Sequence, residues 1–295
     1  MKPSLDISII IVHRNNVPLL RDCLASLPGA CEGISWEAIV VDNGSTDGSP
    51  EMVKEEFPET VLIENKENLG FTRANNQGLE IACGRFLVLL NNDTISHPKA
   101  FSKTVAYLEA HSNIGGAGLK LLNEDGSRQL SARRFPGFQQ ALFNRYSLLT
   151  RLFPDNPYSR SYLLTDLDED AVRDVDWVSG ACLIVRRDVY EKIGGLDERF
   201  FMYSEDVDWC LRIWKAGYRV VYLPIAEIIH LIGQTSGKYP FMPIVERHRS
   251  MYKYYKKHYS RELLFLDTGT AFFVTARCLT QLVTMYWKHK FGGRR

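Results

Sequence analysis

Neither sign of charge dominates this sequence, because 36 lysines and arginines stand against 35 aspartates and glutamates. The formal net charge of +1 gives no overall basic field of the kind that nucleic-acid-binding proteins use, so we expect no nucleic-acid partner. The sequence also lacks an uninterrupted run of about eighteen apolar residues, which a membrane-spanning helix requires. Its first residues show no secretory leader, and we therefore expect a cytoplasmic protein.

Several familiar motifs are missing as well. The six cysteines form no CxxC pair, which argues against a zinc site and a disulfide framework and favours reduced, mostly packed thiols. No GxGxxG follows the first apolar run, which counts against a dinucleotide-dependent dehydrogenase. No GxxxxGKS or GxxxxGKT is present, which counts against a P-loop enzyme. A nucleotidyltransferase is disfavoured too, because a glycine-rich phosphate loop after the first apolar run is absent.

The sequence does contain an alternation of short apolar runs with amphipathic segments. Four runs rich in β-branched and aliphatic residues predict strands, at 7–12, 38–41, 61–63 and 87–90. The segments between them predict helices, of which the third runs from Thr72 to Cys83 and is closed by Gly84 in left-handed geometry. This alternation predicts an α/β fold with a mainly parallel sheet flanked by helices on both faces.

Later segments predict further strands and one strongly signalled helix. Apolar runs predict three strands, at 175–186, 219–223 and 226–230. Ser179 and Gly180 would let a ligand approach the backbone of the first of them. The segment 205–214 predicts a helix, because it carries three acids in its first turn and apolar residues at helical spacing. Residues 128–174, with scattered arginines and acids, predict either an acceptor-facing insertion or a solvated surface.

A change of composition near residue 240 predicts two parts, a domain over 1–240 and a C-terminal basic and apolar helical extension over 241–295. The segment 263–287 is largely apolar, is interrupted by Asp267, Arg277 and Gln281, and is followed by basic residues. This pattern favours peripheral contact with an anionic membrane. A helix docked on the domain, or on a second subunit of a homodimer, is the alternative.

Polar side chains follow three of the predicted strands. They lie at His13 to Asn15, at Asp42 to Asp47 and at Asn91 to Asp93. Because the carboxyl ends of parallel strands meet at one edge of a sheet, we expect these segments to converge, although they are far apart in sequence. Asp93 with Asn91 or Asn92 would offer oxygen ligands to a hard divalent cation. A simple strand-to-turn junction is the alternative for that last segment.

Five motifs together resemble the inverting glycosyltransferases of family two, in the right order over roughly residues 5–236. These motifs are His13-Arg14-Asn15, Val41 to Asp47, Asn68 to Gly78, Asn91-Asn92-Asp93, and Gly195-Leu196-Asp197 through Glu205 to Asp208. Within that family the chain is most similar to bacterial rhamnosyltransferases that build cell-surface polysaccharides. The resemblance implies a GT-A fold and a nucleotide-sugar donor bound through Mg²⁺ or Mn²⁺.

The resemblance also implies roles for individual residues. Asp42 corresponds to the aspartate that accepts a hydrogen bond from the pyrimidine base, and Arg73 to a basic residue near the donor. Asn91-Asn92-Asp93 stands where the family has its DXD motif, which leaves Asp93 to bind the metal. The implied donor-binding residues are His13, Arg14, Asn15, Asp42, Asn43, Arg73, Asn91 and Asn92.

On the acceptor side, Asp206 corresponds to the family's catalytic base, with Glu205 as the near alternative. Trp177, Ser179 and Gly180 are the residues that we expect to bind the acceptor, Trp177 as a face for a sugar ring. His230 stands where several relatives place a further metal ligand; a buried histidine at the end of a strand is the alternative.

These features predict a metal-dependent inverting hexosyltransferase. We expect it to move L-rhamnose from dTDP-rhamnose onto a cell-surface polysaccharide or a polyprenyl-linked glycan, at the inner face of the cell membrane. A UDP-sugar donor remains an alternative. Two other classes also remain open, namely a nucleotide-sugar-binding protein that has lost catalysis and a membrane scaffold built around residues 240–295.

Overall fold

A computed structural model describes residues 5–136, 160, 162–164, 170–231 and 241–291 of the chain. Its first half is the predicted alternation of strands and helices. The strands are β1 (Leu5–His13), β2 (Trp36–Asn43), β3 (Val61–Asn65) and β4 (Gly84–Asn91), and the helices are α1 (Val17–Ala30), α2 (Ser49–Glu56) and α3 (Phe71–Ile81). All four strands run parallel in the order β3-β2-β1-β4, which confirms the prediction for this half.

The second half extends the same sheet with strands of both directions. Its elements are β5 (Thr94–Ser96), α4 (Ala100–Ala110), β6 (Ile114–Leu122), β7 (Ala132–Arg133), β8 (Arg173–Asp174), β9 (Trp177–Val178), β10 (Cys182–Arg186), α5 (Arg187–Ile193), α6 (Glu205–Lys215) and β11 (Arg219–His230). The complete order is β3-β2-β1-β4-β10-β6-β11-β5, with β8 paired to β11 and with β7 and β9 forming a separate small sheet. Strand β10 runs antiparallel to both of its neighbours, so the α/β fold is confirmed with a mixed sheet.

The continuous strand predicted over 175–186 is wrong. The chain turns at residues 179–181, so that β9 pairs with β7 and β10 enters the large sheet. Two backbone bonds hold this turn, from the Ser179 N–H to the Ser131 carbonyl at 2.8 Å and from the Cys182 N–H to the Ser179 carbonyl at 3.3 Å. Ser179 and Gly180 therefore lie at a bend between two sheets.

The two separate strands predicted over 219–230 form one strand, β11. Its pairing with β6 shifts register between Leu223 and Glu227. Pro224 lies in this interval and has no N–H to donate to a ladder, which accounts for the interruption without ending the strand.

Gly84 does not end a helix in left-handed geometry, contrary to the prediction. Helix α3 ends at Ile81, and Gly84 begins β4. A Cβ at this glycine would lie 2.3 Å from the Ser8 nitrogen of the neighbouring β1. The glycine is therefore required by the close approach of two strands and not by a helix cap.

Each face of the sheet packs against helices. Along β1, Ile9 and Ile11 belong to one buried cluster and Ile10 to the other, as expected when successive side chains point to opposite faces. Helices α1 and α4 cover the first cluster, and α3 and α6 cover the second; fully buried members include Leu20, Phe101, Leu79 and Trp209. Burial on both faces explains why the central strands are apolar runs and not alternating ones.

Two helices follow the sheet, α7 (Met242–His258) and α8 (Leu264–Phe291). Helix α7 is fastened to α6, because His258 Nε2 and Lys257 Nζ each lie 2.6 Å from a carboxylate oxygen of the fully buried Asp208. Helix α8 packs on α7 through an ion pair between Asp267 and Lys256. Within the part of the chain that the structure describes, no helix combines the length and the apolarity needed to cross a bilayer. The boundary at residue 240 remains a prediction.

Candidate active site

A cleft of about 460 Å³ opens at the carboxyl edge of the sheet. Strands β1 and β4 end there, the turn at 179–181 and the first turn of α6 form the facing wall, and the start of α7 closes one side. The predicted site residues that line it are His13, Arg14, Asn15, Asn43, Asn91, Asn92, Asp93, Ser179, Gly180, Glu205, Asp206 and His230. Asp93 and Asp206, which are 113 positions apart in the numbering, therefore share one cavity.

Asp93 and His230 form one end of the cleft. The Asp93 Oδ1 atom lies 3.3 Å from His230 Nε2, and the Asn91 side-chain nitrogen lies 3.3 Å from the same Nε2. The Asp93 carboxylate is 7% exposed, and its Oδ1 has no hydrogen-bond partner among the described residues. The cluster thus brings a carboxylate, an imidazole and an amide together around one point.

Gln129 fixes which nitrogen of His230 carries the proton. Its side-chain Nε2 lies 3.1 Å from the Leu122 carbonyl, 2.9 Å from Asn123 Oδ1 and 2.6 Å from the His230 carbonyl. All three are acceptors, so this atom is the amide nitrogen and Oε1 is the oxygen. Oε1 lies 2.9 Å from His230 Nδ1 and must accept a proton from it. In the neutral ring, Nε2 then presents a lone pair towards Asp93.

The Nε2 lone pair and Asp93 Oδ1 are both acceptors 3.3 Å apart, and a cation bound to both would give Oδ1 a partner and replace the Asn91 amide nitrogen at Nε2. Oxygen and imidazole donors suit Mn²⁺, and the carboxylate suits Mg²⁺. The described ranges contain no group of three or more histidines, cysteines, aspartates and glutamates that could hold an ion. The residues present therefore fit a divalent cation that takes its remaining ligands from water and from phosphate oxygens of a bound substrate.

Glu205 and Asp206 line the cleft from the first turn of α6. Tyr203 and Ser204, which lead into this turn, adopt the left-handed region with φ values of 70° and 68°. Asp206 Oδ2 accepts a hydrogen bond from the Gly180 N–H at 3.1 Å, and Oδ1 accepts one from the Val207 N–H at 2.8 Å. The turn at 179–181 thereby orients the Asp206 carboxylate.

The two carboxyl groups have different surroundings. Burial raises the pKa of Glu205 well above its ordinary value, the neighbouring Asp206 charge raises it further, and Glu205 Oε2 has no partner among the described residues. Burial also raises the pKa of Asp206, but the Gly180 and Val207 amides and the Arg133 charge oppose that rise. The surroundings of Asp206 therefore favour its ionised form more than those of Glu205 favour an ionised Glu205.

His13 and Asn92 brace each other beneath the cleft. The Asn92 side-chain nitrogen lies 2.7 Å from His13 Nδ1, and His13 Nε2 lies 2.8 Å from Ser49 Oγ. Burial lowers the pKa of His13 to about 4, so the ring is neutral near pH 7. Asp42 is 3% exposed, accepts the Ser45 N–H at 2.9 Å and lies behind the residues that line the cleft.

Three other predicted residues are held by protein contacts. The Asn43 amide joins two loops, since it donates to Asn68 Oδ1 and accepts from the Leu69 N–H, both at 2.9 Å. Arg73 is an exposed partner of Glu198 and does not line the cleft. Trp177 is 7% exposed, donates to the Arg134 carbonyl and lies outside the cleft, and the Arg133 guanidinium covers its ring at 5.2 Å. The predicted sugar platform is therefore not open to the cavity.

The structure adds residues that the sequence did not single out. Gln129 belongs to no motif, and only its contact with His230, 101 positions away, reveals its role. Arg247 lines the cleft from α7, and the basic character of that helix was its only signal in the sequence. Met202, Tyr203, Met242 and Pro243 complete this wall. None of the six cysteines is in a disulfide in the part of the chain that the structure describes, and four of them are buried.

Comparisons with known proteins agree with this geometry. The family model "Glycosyl transferase family 2" matches residues 8–194, and "Glycosyl transferase family group 2" matches residues 142–287. The N-acetylglucosaminyl-diphospho-decaprenol L-rhamnosyltransferase of Mycobacterium tuberculosis is 32% identical over 255 residues, which cover 83% of this chain and 82% of that protein. The O-antigen biosynthesis protein RfbC of Myxococcus xanthus is 29% identical over 76% of this chain and 17% of its own length.

Solved structures show the same fold. The mannosyltransferase PcManGT from Pyrobaculum calidifontis, in complex with GDP-Man and Mn²⁺, superimposes with a TM-score of 0.58 at 20% identity, and the match covers 87% of this chain and 65% of that one. The S. aureus TarS 1–349 structure has a TM-score of 0.53 at 16% identity, with 88% of this chain and 74% of that one covered. The GT-A fold is thereby confirmed.

Proposed function

Because this chain belongs to glycosyl transferase family 2, we propose that it is a hexosyltransferase that moves L-rhamnose from dTDP-rhamnose onto a lipid-linked glycan in cell-surface polysaccharide synthesis. The observation that carries the proposal is that Asp93 and Asp206, which are far apart in sequence, line the same cleft. The rhamnose and the lipid-linked acceptor are supported by the name of the mycobacterial relative, which matches over most of both chains.

Asp93 and His230 are the residues that would hold Mg²⁺ or Mn²⁺, with Gln129 orienting the histidine. The bound cation stabilises, as a Lewis acid, the charge that develops on the departing nucleoside diphosphate. His13, Arg14, Asn15 and Asn92 lie around the same end of the cleft, where we assign the donor. Asp42 and Arg73 are assigned to the donor from their motif positions alone.

Asp206 removes the proton from the acceptor hydroxyl as that oxygen attacks the anomeric carbon. Its ionised state and its orientation come from the Gly180 and Val207 amides, which donate hydrogen bonds to its two oxygens. Attack from the Asp206 wall, with departure towards the Asp93 wall, is a single displacement and inverts the anomeric configuration. The protonated Glu205 beside it does not compete for the proton.

The transfer assay that tests this function combines the purified protein with dTDP-rhamnose, Mn²⁺ and a short-chain N-acetylglucosaminyl diphosphate lipid. Mass spectrometry should show the acceptor gaining one deoxyhexose. UDP- and GDP-sugars are the control donors in this assay. In a separate thermal-unfolding measurement, we expect only the dTDP-sugar with metal to raise the midpoint temperature of the protein. Transfer from a UDP-sugar alone would overturn the donor assignment, and no transfer from any donor would overturn the function.

Helix α8 has an exposed apolar face that would bring the enzyme to a membrane that holds a lipid-linked acceptor. Nine exposed large apolar side chains lie on it, namely Leu264, Phe265, Leu266, Phe272, Phe273, Leu279, Val283, Tyr286 and Trp287. Arg261 precedes the helix and Lys290 lies near its end, which places exposed cations on both sides of the apolar face. An apolar helix face flanked by cations suits the surface of an anionic membrane, so we assign the protein to peripheral contact with the inner face of the cell membrane.

Replacing Phe272 and Leu279 together by serine should lower binding to phosphatidylglycerol vesicles by at least about tenfold, because each side chain loses roughly 1.5–3 kcal/mol of apolar burial. Co-sedimentation measures the bound fraction. Ile81→Ser is the matched control, since Ile81 is 46% exposed on α3 and far from this face. Unchanged vesicle binding together with conversion of a dimer to a monomer would show that the face pairs with a second copy instead.

A further inference from the structure

Three arginines that have no assigned ligand lie in this part of the molecule, and one of them, Arg133, acts on the charge of Asp206. Arg247 lines the cavity, and its guanidinium carbon lies 5.2 Å from the centre of the Tyr203 ring, two positions before Glu205. Arg133 lies 5.2 Å from the Trp177 ring, and its charge acts on Asp206. Arg277 comes from α8, and its Nη1 lies 3.8 Å from Met251 Sδ on α7.

Tyr162 and the buried His248 each lie near two of these arginines. The Tyr162 hydroxyl group hydrogen-bonds to Arg133 and is also within electrostatic reach of Asp206 and Arg277. His248, which is 2% exposed, is within reach of both Arg247 and Arg277. Arg247 and Met251 lie one turn apart on α7, and Arg277 contacts Met251, so Arg277 lies beside Arg247 where α7 and α8 pack together.

This region lies on the side of the reaction that faces the acceptor. In a single displacement the leaving diphosphate departs on the metal side, at Asp93 and His230, and the acceptor enters on the side of the base. Cations beside Asp206 therefore meet the acceptor and not the donor. Guanidinium groups match phosphate oxygens in geometry as well as in charge, because they form paired hydrogen bonds.

Beyond the arginines, the same helix that carries Arg277 presents its apolar outer face. Phe272 and Phe273 lie within two turns of Arg277 and are 76% and 38% exposed. A carboxylate, a cationic region and an apolar helix thus follow one another from the cleft outwards. This order matches a molecule made of a sugar, a diphosphate and a lipid chain.

We infer that Arg133, Arg247 and Arg277 form a binding site for the diphosphate of a polyprenyl-diphosphate-linked acceptor, whose sugar reaches Asp206 and whose lipid chain lies along α8. The inference rests on the proposed function and adds the chemical group that selects the acceptor. An acceptor without the diphosphate should still reach Asp206 but bind more weakly.

The test compares two acceptors, decyl N-acetylglucosaminyl diphosphate and decyl N-acetylglucosaminide, with wild type and with Arg247→Gln and Arg277→Gln. We expect each substitution to raise KM for the diphosphate acceptor by about tenfold or more, since each removes charge-assisted hydrogen bonds to the phosphate oxygens. KM for the glycoside and KM for the donor should stay within about twofold. Arg249→Gln is the matched control, because Arg249 lies on α7, pairs with Glu246 and has a 65% exposed side chain.

Arg277→Lys keeps the charge but loses the paired geometry, so an intermediate KM would support the site even if a glutamine variant folds poorly. An equal rise for both acceptors would overturn the inference, because it would show a structural role. A rise in donor KM alone would overturn it as well, because the arginines would then serve the donor diphosphate. Failure of wild type to transfer to either acceptor would instead remove the proposed function.

Discussion

Replacing Asp206 by asparagine should lower the rate of sugar transfer by about 10² to 10⁴-fold, the usual contribution of a general base. The amide has nearly the same shape but cannot accept the proton of the acceptor hydroxyl group. Donor affinity should change by less than about threefold, because the donor is assigned to the far wall of the cleft. Initial rates with saturating substrates and calorimetric titration with dTDP-rhamnose measure the two quantities separately.

Glu205→Gln is the matched control for that substitution. Burial raises the pKa of Glu205 and so favours its protonated form, and a neutral side chain of the same size should leave the rate within a few-fold of wild type. Because burial raises the pKa of Asp206, the wild-type rate should fall as the pH drops through a value above the ordinary range of an aspartate, and should be full above it. Near-normal turnover in Asp206→Asn, with a large loss in Glu205→Gln, would show that Glu205 is the general base and Asp206 is not.

Replacing Asp93 by alanine should lower transfer by about 10²-fold or more and abolish high-affinity Mn²⁺ binding. Asp93 supplies the carboxylate beside His230 Nε2, and a cation there is expected to contribute several kcal/mol to stabilisation of the leaving group. Electron paramagnetic resonance of free Mn²⁺ reports the binding directly, without any turnover. Full activity of wild type in excess EDTA would contradict a metal-dependent reaction.

Replacing Gln129 by leucine tests whether this residue affects Mn²⁺ binding, through its hydrogen bond with His230, or only the stability of the fold. Loss of the bond from His230 Nδ1 frees the ring to change its tautomer, so Mn²⁺ affinity should fall by about 10 to 100-fold, as is usual for a group that orients a metal ligand. Unlike Asp93→Ala, this variant should regain most of its rate at high Mn²⁺ concentration. If its rate stays low at every Mn²⁺ concentration while its affinity is normal, Gln129 acts only on folding.

Local patterns predicted much of the fold. The β-branched runs around Ile10 and Val40 predicted the parallel strands, and the acids before Trp209 predicted the start of α6. Both signals lie within a few residues of the element that they predict. The turn at 179–181 was missed because its cause is pairing with Ala132 in a second sheet. The continuity of β11 across Pro224 depends in the same way on β6, which lies far away in sequence.

The same distinction applies to the site. Asp93 and Asp206 stand in motifs that the resemblance identified, and the structure brings both to one cleft. No local pattern identifies Gln129, because its importance lies in three acceptors that meet its amide nitrogen. Trp177 looked like a sugar platform in sequence, but its indole is held within the protein by Arg134 and Arg133. The role of a residue that depends on contacts with residues far away in sequence could be identified only from the structure.

The C-terminal extension contributes to the site and not only to membrane contact. Asp208, two positions after the proposed base, is paired with Arg212 on its own helix at 2.9 Å and with Lys257 and His258 of α7 at 2.6 Å. The first turn of α6 is thereby held from both sides, and Arg247 of the same α7 lines the cleft. The position of Asp206 thus depends on packing between residues on both sides of the predicted boundary at 240.

The most direct measurement is the anomeric configuration of the transferred sugar. The one-bond carbon–proton coupling at the anomeric centre, read by NMR from the purified product, distinguishes the two configurations. With departure towards the Asp93 wall and a single base on the Asp206 wall, the product should have the opposite configuration to the donor. A product that keeps the configuration of the donor would contradict the single displacement across this cleft.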